Sequence, residues 1–175
     1  MTEKKFTYIL VSVAALAILV VILLNIPWGG DKAAIRREFD NLDKDHVYET
    51  ISYEDVNKKI NSGETFQLFV GFGTYRNGDS NVAGKVVAYE ADRLAKKHNV
   101  SKIYYLNYSK LTEEQLTNLK VATSHYTEFP SLFYFEGEGE GASIAENISG
   151  LKDLEDFNEN WRDLLTQYFE DCYEN

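Results

Sequence analysis

Apolar residues are distributed in two different ways along the 175 residues of this chain. Residues 6–26 form an almost unbroken apolar run whose only polar members are Thr7, Ser12 and Asn25. A helix of this length, rising about 1.5 Å per residue, spans a hydrocarbon core about 30 Å thick. From residue 48 onwards, shorter apolar segments alternate with polar ones at the periods of strands and helices. The pattern predicts an apolar amino-terminal helix followed by one larger domain.

The flanks of the apolar run predict an uncleaved signal anchor. Lys4 and Lys5 precede the run. Because positively charged flanks stay in the cytoplasm, we expect a cytoplasmic amino terminus (1–5), a transmembrane anchor (6–27) and an extracytoplasmic domain. A cleaved signal peptide is the alternative, although the run is long and residues 25–28 lack the small side chains that signal peptidase prefers. The predicted location is the cell membrane, with a single pass and the carboxy-terminal domain outside.

The rest of the chain reads as an alternation of strands and helices. Within a juxtamembrane segment, 28–47, the charged stretch 31–42 predicts a short helix or linker that spaces the domain from the bilayer. Strands are predicted at 48–52, 65–72, 103–108, 130–136 and 142–148, and helices at 53–61, 82–98, 111–125 and 151–169. The strand 65–72 is apolar throughout, as expected at the centre of a sheet covered on both faces. The order β-α-β-α-β-α-β-β-α predicts an α/β fold for residues 48–175.

Local signals support several of these boundaries. Asn81 or Ser80 can cap the helix that begins at residue 82. Thr112 followed by Gln115 has the spacing of a capping box. The glycine-rich stretch 137–141 predicts a hairpin turn between the last two strands.

Charge narrows the class of partner. Only Lys4, Lys5 and Glu3 among the charged residues lie within residues 1–30, so the remaining chain carries a formal net charge of −11. Such a surface repels nucleic acids and anionic membrane surfaces, and neither is expected as a docking partner.

The sequence contains few residues in patterns typical of catalytic, metal-binding or nucleotide-binding sites. Cys172 is the only cysteine, so no internal disulfide is available, which fits a Gram-positive cell surface better than a eukaryotic export route. His46, His98 and His125 lie far apart in the sequence and lack the spacing of a metal site. The glycines around residue 73 do not form a nucleotide-binding loop. We therefore expect neither a metal nor an organic cofactor.

Three local features, taken in order, resemble the thioredoxin fold over roughly residues 48–170. They are the strand, loop and helix of 66–87, the dipeptide Phe129-Pro130 directly before a strand, and the glycine hairpin that leads to a last strand and helix. In that family the proline before the strand forms a cis peptide bond beside the redox loop. The resemblance therefore implies a cis bond at Pro130 and a thioredoxin-like mixed sheet with flanking helices.

A narrower resemblance covers residues 52–78, which read SYEDVNKKINSGETFQLFVGFGTYRNG. This segment is similar to the thioredoxin-like accessory proteins of bacteriocin transport in Gram-positive bacteria. The two cysteines of their redox loop align with Tyr75 and Gly78 when the loops are matched on Gly71 and Thr74. Because neither residue can exchange electrons with a disulfide, we expect no thiol-disulfide activity and no enzyme of that type.

The resemblance implies a binding or scaffolding module tethered outside the membrane. The loop 71–81 and the proline dipeptide should meet at one end of the sheet, where redox relatives bind an extended peptide by backbone pairing. The predicted partner-binding residues are Phe72, Tyr75, Arg76, Tyr126, Phe129 and Pro130. The expected partner is a protein or peptide, such as a component of a membrane transport complex in peptide export or envelope assembly.

Two other functions stay open from the sequence. A divergent thiol-disulfide enzyme would have to use Cys172. A structural subunit of a membrane complex would work through its transmembrane helix, in which Ala14, Ala15 and Ala17 provide small side chains for helix packing.

Overall fold

The computed structural model describes residues 30–74, 81–123, 129–137, 139, 141–148 and 160–173. The predicted anchor, residues 6–27, lies outside these residues. In the part of the chain that the structure describes, no helix combines the length and the apolar character needed to cross a bilayer.

The described elements follow the predicted alternation, and of the two possibilities predicted for residues 31–42, a short helix or a linker, the structure shows a helix. The elements are α1 (Gly30–Glu38), β1 (Tyr48–Thr50), α2 (Tyr53–Asn61), β2 (Phe66–Gly71), α3 (Val82–Lys97), β3 (Ile103–Asn107), α4 (Glu113–Ala122), β4 (Ser131–Gly137), β5 (Ala142–Ile148) and α5 (Trp161–Tyr173). A short 3₁₀ turn, Tyr108–Lys110, follows β3. The first part of the predicted last helix, 151–159, lies outside the described residues.

The strands form one mixed sheet in the order β1-β3-β2-β4-β5. β1, β3 and β2 are parallel, whereas β4 is antiparallel to β2 and β5 is antiparallel to β4. The predicted α/β class is confirmed. The carboxyl ends of the three parallel strands and the start of β4 therefore lie along one side of the sheet, which we call the carboxyl edge.

Helices cover both faces of the sheet, as the apolar character of β2 predicts. All six residues of β2 are buried, and alternate side chains enter different cores. Phe69 packs with residues of α1, α3 and α5. Leu68 and Val70 pack on the other face with residues of α2 and α4. The middle of the domain is therefore a two-sided hydrophobic core.

The segment predicted as a juxtamembrane spacer, 31–42, is packed on this core. Ile35, Phe39 and Leu42 expose only 2%, 1% and 3% of their surface. The Asp31 carboxylate also accepts a hydrogen bond from the Thr50 backbone N–H, at 2.8 Å, beside the end of β1. The charged composition of the segment hid these contacts, because only three large apolar residues carry them. The domain therefore begins before residue 48.

Candidate functional site

The start of the loop 71–81 and the Phe129-Pro130 dipeptide lie together at the carboxyl edge, as expected from the sequence. β2 ends at Gly71, and the Phe129-Pro130 peptide bond directly before β4 is cis, as predicted. A Cβ placed on Gly71 would lie 3.4 Å from the Cβ of Pro130. The proline therefore lies against the point where the chain leaves the central strand.

Three half-buried aromatic rings form a cluster beside this proline. The Tyr108 ring lies 4.4 Å from that of Phe129 and 6.0 Å from that of Phe72, measured between centroids. Phe72 and Phe129 were predicted site residues, whereas Tyr108 was assigned only to a strand. Its position directly after β3 could have identified it, since residues that follow parallel strands meet at one edge. We call Phe72, Tyr108 and Phe129 the aromatic cluster.

The remaining predicted site residues, Tyr75, Arg76 and Tyr126, lie outside the described residues. The structure brings together Phe72, Phe129 and Pro130.

A carboxylate from α1 supports the start of the loop. Glu38 Oε1 accepts a hydrogen bond from the Gly73 backbone N–H at 3.2 Å. The Asn107 Nδ2 donates to Oε1 and Oε2 of the same carboxylate, at 2.8 and 3.0 Å. Position 73 requires glycine for steric reasons, because a Cβ there would overlap the carbonyl oxygen of Glu38. Glu38 therefore links α1, the loop and the end of β3.

Asn81 fixes the other end of the loop. Its backbone N–H donates to the Gly73 carbonyl at 2.9 Å, and its Nδ2 donates to the Phe72 carbonyl at 2.9 Å. Its Oδ1 accepts from the Gly84 N–H at 3.2 Å, which confirms the predicted cap of α3. Two hydrogen bonds from Asn81 thus hold the backbone at Phe72 and Gly73, and a third caps α3.

A cavity of about 290 Å³ opens between the ends of β1 and β3 and the start of α4, and its lining includes Asn107, which directly precedes Tyr108 of the aromatic cluster. Its apolar walls include Ile35, Ile51 and Leu111. Glu38 and Tyr105 supply polar groups. Burial raises the pKa of the Tyr105 hydroxyl, and the charge of Glu38 raises it further, so this hydroxyl is neutral over the physiological range.

Cys172 lies elsewhere. It is half-buried on α5, and its thiol lies near Tyr168 and Gln67, the latter at the start of β2. Gln67 is separated from Gly71 by four residues of strand, about 13 Å. Burial raises the pKa of the thiol to about 12, against the weaker opposing effect of the nearby polar groups of Tyr168 and Gln67. Because the thiolate is the reactive form, this environment opposes nucleophilic chemistry.

His46 is used structurally. Its Nε2 lies 3.0 Å from the Lys32 carbonyl and its Nδ1 lies 3.2 Å from the Tyr48 backbone N–H. In this arrangement Nε2 donates to the Lys32 carbonyl and Nδ1 accepts from the Tyr48 N–H. Among the described residues, no group of three or more His, Cys, Asp or Glu side chains has the arrangement of a metal site.

Comparisons with known proteins do not assign a family. No family model matches the sequence, and no curated protein matches it. The functional interpretation therefore depends on the geometry of the carboxyl edge.

Proposed function

We propose that this protein is a membrane-tethered module with a thioredoxin-like fold that binds a protein or peptide at the surface of a Gram-positive bacterium and has no thiol-disulfide activity. The order of strands and helices supports the fold assignment, since it matches the order expected from the resemblance. The similarity of residues 52–78 to bacteriocin-transport accessory proteins supports a role in peptide export or envelope assembly.

The observation that carries the proposal is the cluster of three partly exposed aromatic rings beside Pro130, at the end of β2. In redox relatives, a surface of this kind binds an extended peptide by backbone pairing, which requires no cysteine. Aromatic side chains supply contact area at low conformational cost and are enriched among the residues that dominate binding. The geometry thus supports peptide binding more directly than it supports a catalytic function.

Site-specific photo-crosslinking tests the binding surface. A photoreactive phenylalanine at position 129 or 75 should give one discrete crosslinked partner in membranes. The matched control is position 97, because Lys97 is exposed at the end of α3, away from the carboxyl edge. Crosslinking of the same partner from all three positions, or from position 97 alone, would contradict the proposal.

Two further variants separate the competing functions. If the protein is a binding module, Cys172→Ser should leave partner crosslinking unchanged. If it is a thiol enzyme, the same substitution should abolish its thiol-disulfide activity. Removal of residues 31–175 should abolish the complex. A complex that survives this deletion would instead favour the transmembrane helix as the functional part.

A further inference from the structure

The cavity contains the Glu38 carboxylate, whose hydrogen-bond donors among the described residues are neutral. They are the Gly73 backbone N–H and the Asn107 amide. Within the described residues, no basic side chain forms an ion pair with Glu38. A partly buried carboxylate gains most from a cation that reaches it in such an environment.

A second polar group lines the same cavity. Tyr105 is 2% exposed, and its hydroxyl lies beside Glu38 and Asn107 without a hydrogen bond of good geometry to either. A buried hydroxyl gains from a partner that completes its hydrogen bonding, because its desolvation is otherwise only partly compensated. Tyr105 and Glu38 together offer acceptors to a ligand that donates hydrogen bonds.

The walls and rim of the cavity define the ligand further. Ile35, Ile51 and Leu111 provide an apolar lining, which suits an aliphatic stem. The Glu54 carboxylate also lies on the lining, as does the exposed Lys110, so acidic groups outnumber basic ones. The expected ligand carries a positive charge at the end of an apolar chain.

The geometry around Glu38 favours an ammonium over a guanidinium group. Asn107 Nδ2 already contacts both carboxylate oxygens, which is the position that a bidentate arginine would occupy. An ammonium is a compact charge with three donors and can approach from another direction.

We propose that this cavity binds the side-chain ammonium of a lysine in the peptide held by the aromatic cluster. The inference rests on the proposed function, because the peptide delivers the lysine. Glu38 and Tyr105 accept hydrogen bonds from the ammonium, and the apolar lining contacts its methylene groups. The cavity acts as a specificity pocket next to the surface that binds the backbone.

The chemistry of the cavity can be tested without knowing the peptide. In a ¹⁵N-labelled full-length protein in detergent micelles, n-butylammonium should shift the Gly73 backbone and Asn107 side-chain amide signals in a saturable way, and n-butanol should not.

Glu38→Gln should weaken this binding roughly tenfold or more, and the exposed-site control Glu136→Gln should not. Tyr105→Phe should weaken it by a smaller factor and tests the site even if Glu38→Gln is misfolded. Equal shifts with n-butanol, or undiminished binding in both cavity variants, would overturn the inference.

A pair of peptides tests the lysine itself. Acetyl-Ala-Val-Lys-Val-Ala-amide should bind roughly tenfold or more tightly than the same peptide with norleucine in place of lysine, and Glu38→Gln should remove the difference. Equal binding of both peptides at the aromatic cluster would overturn this inference and leave the proposed function intact. Failure of both peptides to bind, with n-butylammonium still bound, would instead contradict the proposed function.

Discussion

Asn81 shows how much one side chain contributes to the candidate site. Its amide oxygen caps α3 through the Gly84 N–H, while its amide nitrogen donates to the carbonyl of Phe72. The sequence offered Asn81 or Ser80 for the first role, because Asn and Ser are favoured capping residues before an apolar helix. The second role depends on how the loop returns to the helix and leaves no local signal.

The double role predicts an unusually large effect of Asn81→Ala. The substitution removes both the cap and a donor to the Phe72 carbonyl at a buried position, so the free energy of unfolding should fall by about 1–3 kcal/mol. Urea denaturation measures it. Thr112→Ala is the comparison, because Thr112 caps α4 at an exposed position, and its loss should cost about 1 kcal/mol. A smaller effect for Asn81→Ala than for Thr112→Ala would contradict this account.

At the scale of elements, α1 is where sequence reasoning and structure differ most. Ile35, Phe39 and Leu42 have the spacing of an amphipathic helix and its continuation, so a signal was present. The many charged residues around these three positions led instead to the prediction of a spacer. By contrast, the predicted strand 142–148 and the capping box of Thr112 and Gln115 are confirmed. Features that depend on a short stretch of sequence could thus be predicted. The hydrogen bond between Glu38 and Asn107 could not, because the two residues lie 69 positions apart in the sequence.

Truncation tests the role of α1. A chain that starts at residue 30 should unfold cooperatively on heating, as a folded domain does. A chain that starts at residue 48 lacks Ile35, Phe39 and Leu42, and losing such core side chains costs about 2–5 kcal/mol each, comparable in total with the stability of a typical domain. Circular dichroism should therefore show little or no cooperative transition. Equal melting temperatures for the two chains would show that 30–47 is a spacer after all.

The hairpin between β4 and β5 packs closely on the turn after α2. A Cβ on Gly137 would overlap the carbonyl oxygen of Gly63. Gly137→Ala should therefore lower the free energy of unfolding by about 1–3 kcal/mol through overpacking. Gly141→Ala is the matched control in the same hairpin, because its Cβ would meet only an ordinary contact at 3.8 Å, and it should stay within about 0.5 kcal/mol. Similar urea midpoints for the two variants would rule out the close approach.

For the whole molecule, the buried phenols and thiol predict a loss of stability at high pH. Burial raises the pKa of Tyr48, Tyr105, Tyr168 and Cys172 in the folded state. Groups with raised pKa stabilise the fold below their unfolded values, 9.0 for Cys and 10.0 for Tyr, and this contribution is lost as pH rises further. The urea midpoint should fall above about pH 9.

Tyr168→Phe provides the control for this pH dependence. It removes one buried phenol, so the decline above pH 10 should be shallower than in the unmodified protein. The acidic side should be less sensitive, because the carboxyl groups with lowered pKa, Asp45, Asp55 and Glu64, are exposed. An alkaline decline of the same steepness in Tyr168→Phe would contradict the assignment.

The predicted topology also concerns the whole molecule. With a cytoplasmic amino terminus, protease added to intact cells should digest the domain of residues 30–175. A cytoplasmic protein in the same cells should stay intact as the control. Protection of the domain until the cells are lysed would reverse the orientation.

The position of α1 limits how far the carboxyl edge can stand from the lipid. If the anchor ends at residue 27, only two residues precede α1, whose nine residues span about 13 Å along the helix axis. Glu38, at the far end of this helix, contacts the loop of the candidate site. With such an anchor, the tether would be a short arm that keeps the site near the headgroups. That reach would favour the proposed kind of partner, a peptide presented close to the membrane, such as a segment emerging from a transporter.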